Sequence, residues 1–146
     1  MLNLLQPDAS RMTPHEHTPT HDRAPEELAQ GTPAWLRHDL VAMLGEAQVH
    51  ARVIDLIRYA TDASPYRMFP KVVVAPRPVE EVASMFAYAR QKRLTVTIRA
   101  AGSSLSGQSQ GDGILIDARQ HWAGCTVEDH GQRLWVRPGT VMFRAN

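Results

Sequence analysis

The residues of this chain with the most chemical potential lie between positions 100 and 113: Ala100-Ala101-Gly102-Ser103-Ser104-Leu105-Ser106-Gly107-Gln108-Ser109-Gln110-Gly111-Asp112-Gly113. Four of the nine glycines fall there. Glycine permits positive φ and close backbone approach, consecutive amides form a nest for anions, and serine hydroxyls add donors. A loop of this kind suits a diphosphate. Its composition alone would equally serve a flexible linker. Its position between two strand-like runs favours a ligand, because open α/β sheets bind ligands at the C-terminal ends of their strands.

Two nucleotide fingerprints can be weighed against the loop. Gly102 to Ser109 has the spacing of a Walker A motif, but Gln108 stands where the phosphate-reaching Lys belongs. A Walker loop must also open a helix, and here the chain runs on through Gly111-Asp112-Gly113 into Ile114-Leu115-Ile116-Asp117, a strand. Nucleotide hydrolysis is therefore disfavoured. Gly111-x-Gly113 is all that remains of a dinucleotide fingerprint, and it too lacks the helix.

Other reactive side chains are better read as structural. Asp62 and Arg67 could act as an acid and a substrate clamp, but nothing in the sequence shows them converging. Cys125, between Gly124 and Thr126, has no neighbouring base or positive charge and is expected to be a packing residue. His121 beside Trp122 is expected at a strand end, and Arg99 is placed to support the loop from its strand. His15, His17 and His21 alternate as metal ligands could, but a solvated tail offers no scaffold to fix them.

The elements that position the loop follow from periodicity. Residues 1–33 hold five of the ten prolines and none of the nine aromatics, and read as a disordered lead-in. Thr32 is placed to cap a helix that starts with Pro33 and runs from Ala34 to Leu44, burying Trp35, Leu36, Leu40, Met43 and Leu44, with Gly45 as its stop. A second helix is expected over Val49 to Tyr59, with Val53, Leu56, Ile57 and Ala60 inward, so that two helices precede the first strand. Val72-Val73-Val74, between Pro70 and Pro76, reads as a short strand buried on both faces. Pro78 opens a helix to about Lys92. Its acidic start and basic end match the macrodipole, and Val82, Met85, Phe86 and Ala89 form its inner face. Thr95 to Ile98 returns to strand, so residues 71–98 form a βαβ unit whose two strands are expected to be parallel neighbours. Thr126-Val127-Glu128 and Arg133-Leu134-Trp135-Val136 flank a hairpin turn.

Composition sets bounds on function. Sixteen Lys and Arg balance fifteen Asp and Glu, which leaves no basic field to gather nucleic acid. A single Cys excludes an intramolecular disulfide or a Cys-x-x-Cys zinc site and points to a reducing compartment. No run approaches the roughly 18 apolar residues of a membrane span, and the N-terminus lacks a secretory signal. A cytoplasmic protein not integral to a membrane is expected.

Four segments carry a resemblance: Arg58-Tyr59-Ala60-Thr61-Asp62-Ala63-Ser64-Pro65-Tyr66-Arg67, the strand from Pro70 to Pro76 with Glu80-Glu81-Val82, the loop from Arg99 to Gln108, and Val136-Arg137-Pro138-Gly139. In order and spacing they resemble the first part of the FAD-binding (PCMH-type) domain of the vanillyl-alcohol oxidase/p-cresol methylhydroxylase family, in particular its glycolate oxidase and D-lactate dehydrogenase branch. The resemblance implies an α+β fold, with 34–70 a helical segment and 71–146 the N-terminal part of the FAD domain, and it makes Asp62 and Arg67 part of a structural turn leading into the first strand. It implies Ala100, Ala101, Gly102, Ser103 and Ser104 as diphosphate contacts, Gly107 and Gln108 as closing the cradle, Pro76 near the adenine, and Gly139 beside the cofactor. Members that attach flavin covalently through this loop have a His near the position of Ser103, so dissociable FAD is implied.

The same resemblance implies oxidation of a small 2-hydroxy acid of the D-lactate, glycolate or D-2-hydroxyglutarate type by hydride transfer to FAD. The substrate groups would be handled by a later cap domain, so no catalytic residue is assigned. Any iron–sulfur cluster would lie in a C-terminal region beyond this chain. Thr140 is placed to cap a helix of six residues, fewer than two turns at about 3.6 residues per turn, which reads as a cut chain. The alternatives are a noncatalytic flavin- or phosphate-binding module, an inactive fragment, or an interaction protein with a linker loop.

Overall fold

The computed structural model describes residues 24–141. The three N-terminal histidines and the six-residue C-terminal helix, apart from Val141, lie outside the described residues. The chain forms α1 (Ala34–Leu44), β1 (Val49–His50), α2 (Val53–Tyr59), β2 (Val72–Val74), α3 (Val79–Lys92), β3 (Val96–Arg99), β4 (Ile114–Asp117), β5 (Cys125–Glu128) and β6 (Arg133–Val136). Strands β1 to β4 make one sheet in the order β1-β2-β4-β3, and β5 and β6 make a separate antiparallel hairpin.

The period-2 alternation of β2 and β4 divides the interior into two layers. Val72, Val74, Ile114 and Ile116 face α1 and α3, where they meet Leu36, Leu40, Leu44, Val82, Met85 and Ala89. Val73 and Leu115 face the other way, onto Leu56 and Tyr59 of α2 and onto Leu28. Both strands are buried at every position. Leu115 is fully buried and packs in the thinner layer. Leu115→Ala is expected to cost about 2–5 kcal/mol, the range for truncating a core leucine, read as a fall in the urea midpoint at unchanged m-value.

The βαβ expectation needs one correction. β2 and β3 are parallel but not neighbours: β4 pairs in parallel with both, Val72 and Val96 lying opposite Ile114 from either side. The physical reason lies in the side chains. β4 is aliphatic at three of its four positions and suits the centre, whereas β3 alternates Val96 and Ile98 with Thr97 and Arg99 and tolerates an edge.

The N-terminal helices also differ from expectation. Val49 and His50 do not begin a helix but pair antiparallel with Val74 and Val73, so a strand separates α1 from α2. Ordered chain reaches back into the tract expected to be disordered: residues 26–28 form a turn of 3-10 helix and Leu28 is buried. Thr32 does not cap α1. Its amide donates to the Ala51 carbonyl at 2.8 Å, its hydroxyl has no partner, and Pro33 is the N-cap. Trp35, Met43, Ile57 and Phe86 are exposed where burial was expected. On α3 the inward aromatic is Tyr88, whose hydroxyl donates to Asp39 at 2.8 Å. The start of α3 is held by Glu81, which accepts the Arg77 amide at 2.8 Å, a side chain reaching back over the first turn.

Candidate functional site

Parallel strands bring their C-terminal ends to one edge. Ile98, Ile116 and Val74 are in register, so two residues further on Ala100, Ala118 and Pro76 leave the sheet along that edge. Gly139 joins them from the far end of the chain. Its amide donates to the Trp122 carbonyl at 2.7 Å, and a Cβ there would come within 2.6 Å of the Ala118 carbonyl oxygen, so only glycine fits. The Trp122 indole donates to the Pro76 carbonyl at 3.0 Å. Trp122 thus ties Pro76 and Gly139 together across β4, while the loop leaves β3 on its other side.

In the loop itself, Gly102 and Gly107 have φ of 71° and 79°, the region glycine tolerates. Among the described residues, no partner accepts from the amides of residues 100–105. Ser104 organises the tip instead of pointing outward. Its hydroxyl accepts from the amides of Ser106 and Gln108, at 3.2 and 3.1 Å, and bonds the Gln108 side-chain oxygen. The side chains of Ser104 and Gln108 are therefore engaged with each other, and what this segment leaves free among the described residues is backbone N–H and the Ser103 and Ser106 hydroxyls.

A second segment clamps the loop from outside. Thr61 and Arg67 bridge across a turn, and the Asp62 carboxylate at its start accepts from the Ser64 amide (2.9 Å), the Ser64 hydroxyl (2.5 Å), the Gln110 side-chain amide (2.6 Å) and the Ser109 hydroxyl (2.7 Å). The Ala63 amide donates to the Gly102 carbonyl at 3.0 Å, and Tyr66 lies where a Cβ on Gly107 would go. Burial would raise the Asp62 pKa, but the bonds from Ser64, Ser109 and Gln110 outweigh it and hold the carboxyl well below the ordinary range. The structural reading of Asp62 and Arg67 agrees with this geometry, and Asp62 belongs to the scaffold of the loop.

Sequence reasoning gave no site role to Asp117 at the end of β4, to Arg119 just beyond it, or to Arg58 and Tyr59 at the end of α2. Asp117 closes β4, is fully buried, and accepts from the Tyr59 hydroxyl (2.5 Å), the Arg119 amide (2.8 Å) and the Gln120 side chain (3.2 Å). Burial, then the Asp117 carboxylate, pushes the Tyr59 hydroxyl above its ordinary pKa. Arg99 donates to the Tyr59 carbonyl at 3.1 Å and lies over its ring, which fits its expected support of the loop. Arg58, Arg99 and Arg119 line a cavity of about 130 Å³ together with Tyr59, Ala100 and Ala101. A charged residue ending an aliphatic strand, as in Ile114-Leu115-Ile116-Asp117, was the available signal. Cys125 is not a packing residue: it is exposed on β5, which with β6 shows every residue to solvent. His121 is exposed in the turn after β4.

Comparison with known proteins points to the same half of the chain. A family model described as FAD binding domain matches residues 70–146. D-2-hydroxyglutarate dehydrogenase of Escherichia coli is 34% identical over 86 residues, covering 57% of this chain and 8% of that protein. Its Pseudomonas putida counterpart is 33% identical over 92 residues, covering 60% and 9%. The glycolate oxidase subunit GlcD of Escherichia coli is 32% identical over 88 residues, covering 58% of this chain and 18% of that subunit. The chain therefore spans less than a fifth of the length of these relatives. A solved structure of p-cresol methylhydroxylase with substrate bound superposes with a TM-score of 0.58 at 15% identity, over 75% of this chain and 23% of that one. This likeness shows a shared fold.

Proposed function

We propose, from the premise that this chain belongs to the FAD binding domain family, that its loop at residues 100–108 holds the diphosphate of a dissociable FAD. The single observation behind this reading is the row of unpartnered amides from Ala100 to Leu105 at the C-terminal end of β3. Ala100, Gly102 and Ser104 are half-buried, where an amide seeks an acceptor, and successive N–H groups opened by a glycine at positive φ suit phosphate oxygens. Ala100, Ala101, Gly102, Ser103 and Ser104 contribute through the backbone, Ser103 also through its hydroxyl. Gly107 and Gln108 close the turn that Ser104 organises, Pro76 stands toward the adenine, and Gly139 keeps the strand edge open beside the cofactor.

When bound, the flavin supplies a hydride acceptor for a substrate C–H bond. The residues of this chain bind and orient that group, and none of them is assigned a proton-transfer role. The parent activity in this reading is oxidation of a small 2-hydroxy acid of the D-lactate, glycolate or D-2-hydroxyglutarate type, in the cytoplasm, with membrane association at most peripheral. Support comes from the relatives named above, a D-2-hydroxyglutarate dehydrogenase and a glycolate oxidase subunit. Among the described residues no helix is long and apolar enough to cross a membrane.

Titrating the chain with FAD while following flavin fluorescence is expected to give saturable one-to-one binding, with riboflavin, which lacks the diphosphate, binding much more weakly. Denaturation is expected to release all flavin from the polypeptide. Absence of saturation would overturn the reading, and fluorescence retained on the denatured chain would overturn its dissociable form.

A further inference from the structure

We infer that Arg58 and Arg119 form the charged wall of a diphosphate pocket whose floor is the Ala100-Ala101 backbone. The inference deepens the reading of the loop and rests on it only for the identity of the ligand. The cavity lies at the C-terminal ends of β3 and β4, where α2 ends. Its three guanidinium groups face no carboxylate within its lining. The nearest acid, Asp117, is fully buried, and the Tyr59 hydroxyl, the Arg119 amide and Gln120 already occupy it. The Arg119 guanidinium makes one long ion pair with that carboxylate, at 3.7 Å, and stays half exposed. Arg99 is committed to the Tyr59 carbonyl and ring. Arg58 has no hydrogen-bond or ion-pair partner among the described residues.

The unpartnered Arg58 guanidinium and the half-exposed Arg119, held by a single long ion pair, lie beside unpartnered amides and together make a site for a multiply charged oxyanion. Guanidinium offers paired donors that match phosphate geometry, and the neighbouring N–H groups add to the same field. A cavity of about 130 Å³ exceeds the roughly 30 Å³ share of one water several times over and admits a phosphate group. The position fits the ligand as well: Ala100 and Ala101 are the first residues of the loop, so a diphosphate resting on them lies within reach of both arginines.

The test uses the 146-residue chain with inorganic pyrophosphate followed by calorimetry, and FAD followed by fluorescence. Wild type is expected to bind one pyrophosphate. R58Q and R119Q should each weaken it about tenfold, the scale of one charge-assisted hydrogen bond, with R58K recovering most of the loss. R133Q, on the distant hairpin, should leave binding unchanged. No pyrophosphate binding by wild type, unchanged binding in R58Q, or an equal loss in R133Q would overturn the pocket. Circular dichroism reports the fold of each variant, and if R119Q fails to fold, R58Q, whose guanidinium has no partner to lose, decides the matter. Pyrophosphate binding that needs both arginines without saturable FAD binding would sustain the pocket and overturn the flavin reading. Tight FAD binding indifferent to R58Q and R119Q would do the reverse.

Discussion

Replacing Gly113 by Val is expected to be the most damaging single change in the sheet, lowering stability by at least about 3 kcal/mol, the upper end of overpacking costs. A Cβ at this position would sit 2.3 Å from the Thr95 carbonyl oxygen and 2.9 Å from its amide nitrogen. That carbonyl accepts the Ile114 amide at 2.9 Å, the bond that starts β4 beside β3. Backbone cannot rotate aside as a side chain can, so relief requires parting the two strands. Gly131 is the informative control. Its φ is 93° with nothing within 4 Å of a built Cβ, so Gly131→Ala meets conformational strain alone, about 1–3 kcal/mol. Urea unfolding followed by circular dichroism would rank the two. Equal, small shifts would show that β3 and β4 are not packed this closely.

The glycines of residues 100–113 illustrate how far the sequence could be read. Their crowding marked the loop proposed to hold the ligand, and the structure puts that loop at the end of a parallel strand as anticipated. The four do not share one task, however. Gly102 and Gly107 provide positive φ, whereas Gly111 and Gly113 let the returning chain pass close to Thr97 and Thr95. A glycine count cannot separate a dihedral demand from a spatial one, because both appear as a missing Cβ. The order of the strands was hidden for a related reason: the local βαβ pattern says that two strands are parallel but not what is inserted between them. The aliphatic character of β4 against the mixed β3 was legible and would have indicated the centre. The burial of Leu28 beneath α2 was not, since one leucine in a Pro-rich tract carries no periodicity. Asp62 shows the remaining limit. Two of its four acceptor bonds reach Ser109 and Gln110, a contact between segments that no local pattern encodes.

Asp62→Ala is expected to weaken FAD binding by about 10–100-fold, the scale seen when a hydrogen-bonded residue behind a ligand site is removed. Without the carboxylate, Ser109 and Gln110 lose their shared acceptor, and the loop from Gly102 to Gln108 keeps the Ala63 amide, its own Ser104 turn and the bonds of the Gln110 side chain to Ser64 and Tyr66. The ordering previously present in the free protein must then accompany binding, which lowers affinity. Leu105, strongly exposed at the tip, supplies an independent readout: chymotryptic cleavage there should accelerate in the variant before any global unfolding. The pH dependence follows from the depressed carboxyl. A group whose pKa is lower in the folded than in the unfolded protein stabilises the fold fully above its unfolded value, about 3.9 for Asp. That contribution is lost as pH falls from there through the lower folded value. Below about pH 4, wild type should therefore lose its advantage over Asp62→Ala, and the two unfolding midpoints should converge as acidity increases. Midpoints that stay parallel down to pH 2 would mean that the ionised carboxylate does not hold the loop, and that Ser64, Ser109 and Gln110 are ordered by their neighbours instead.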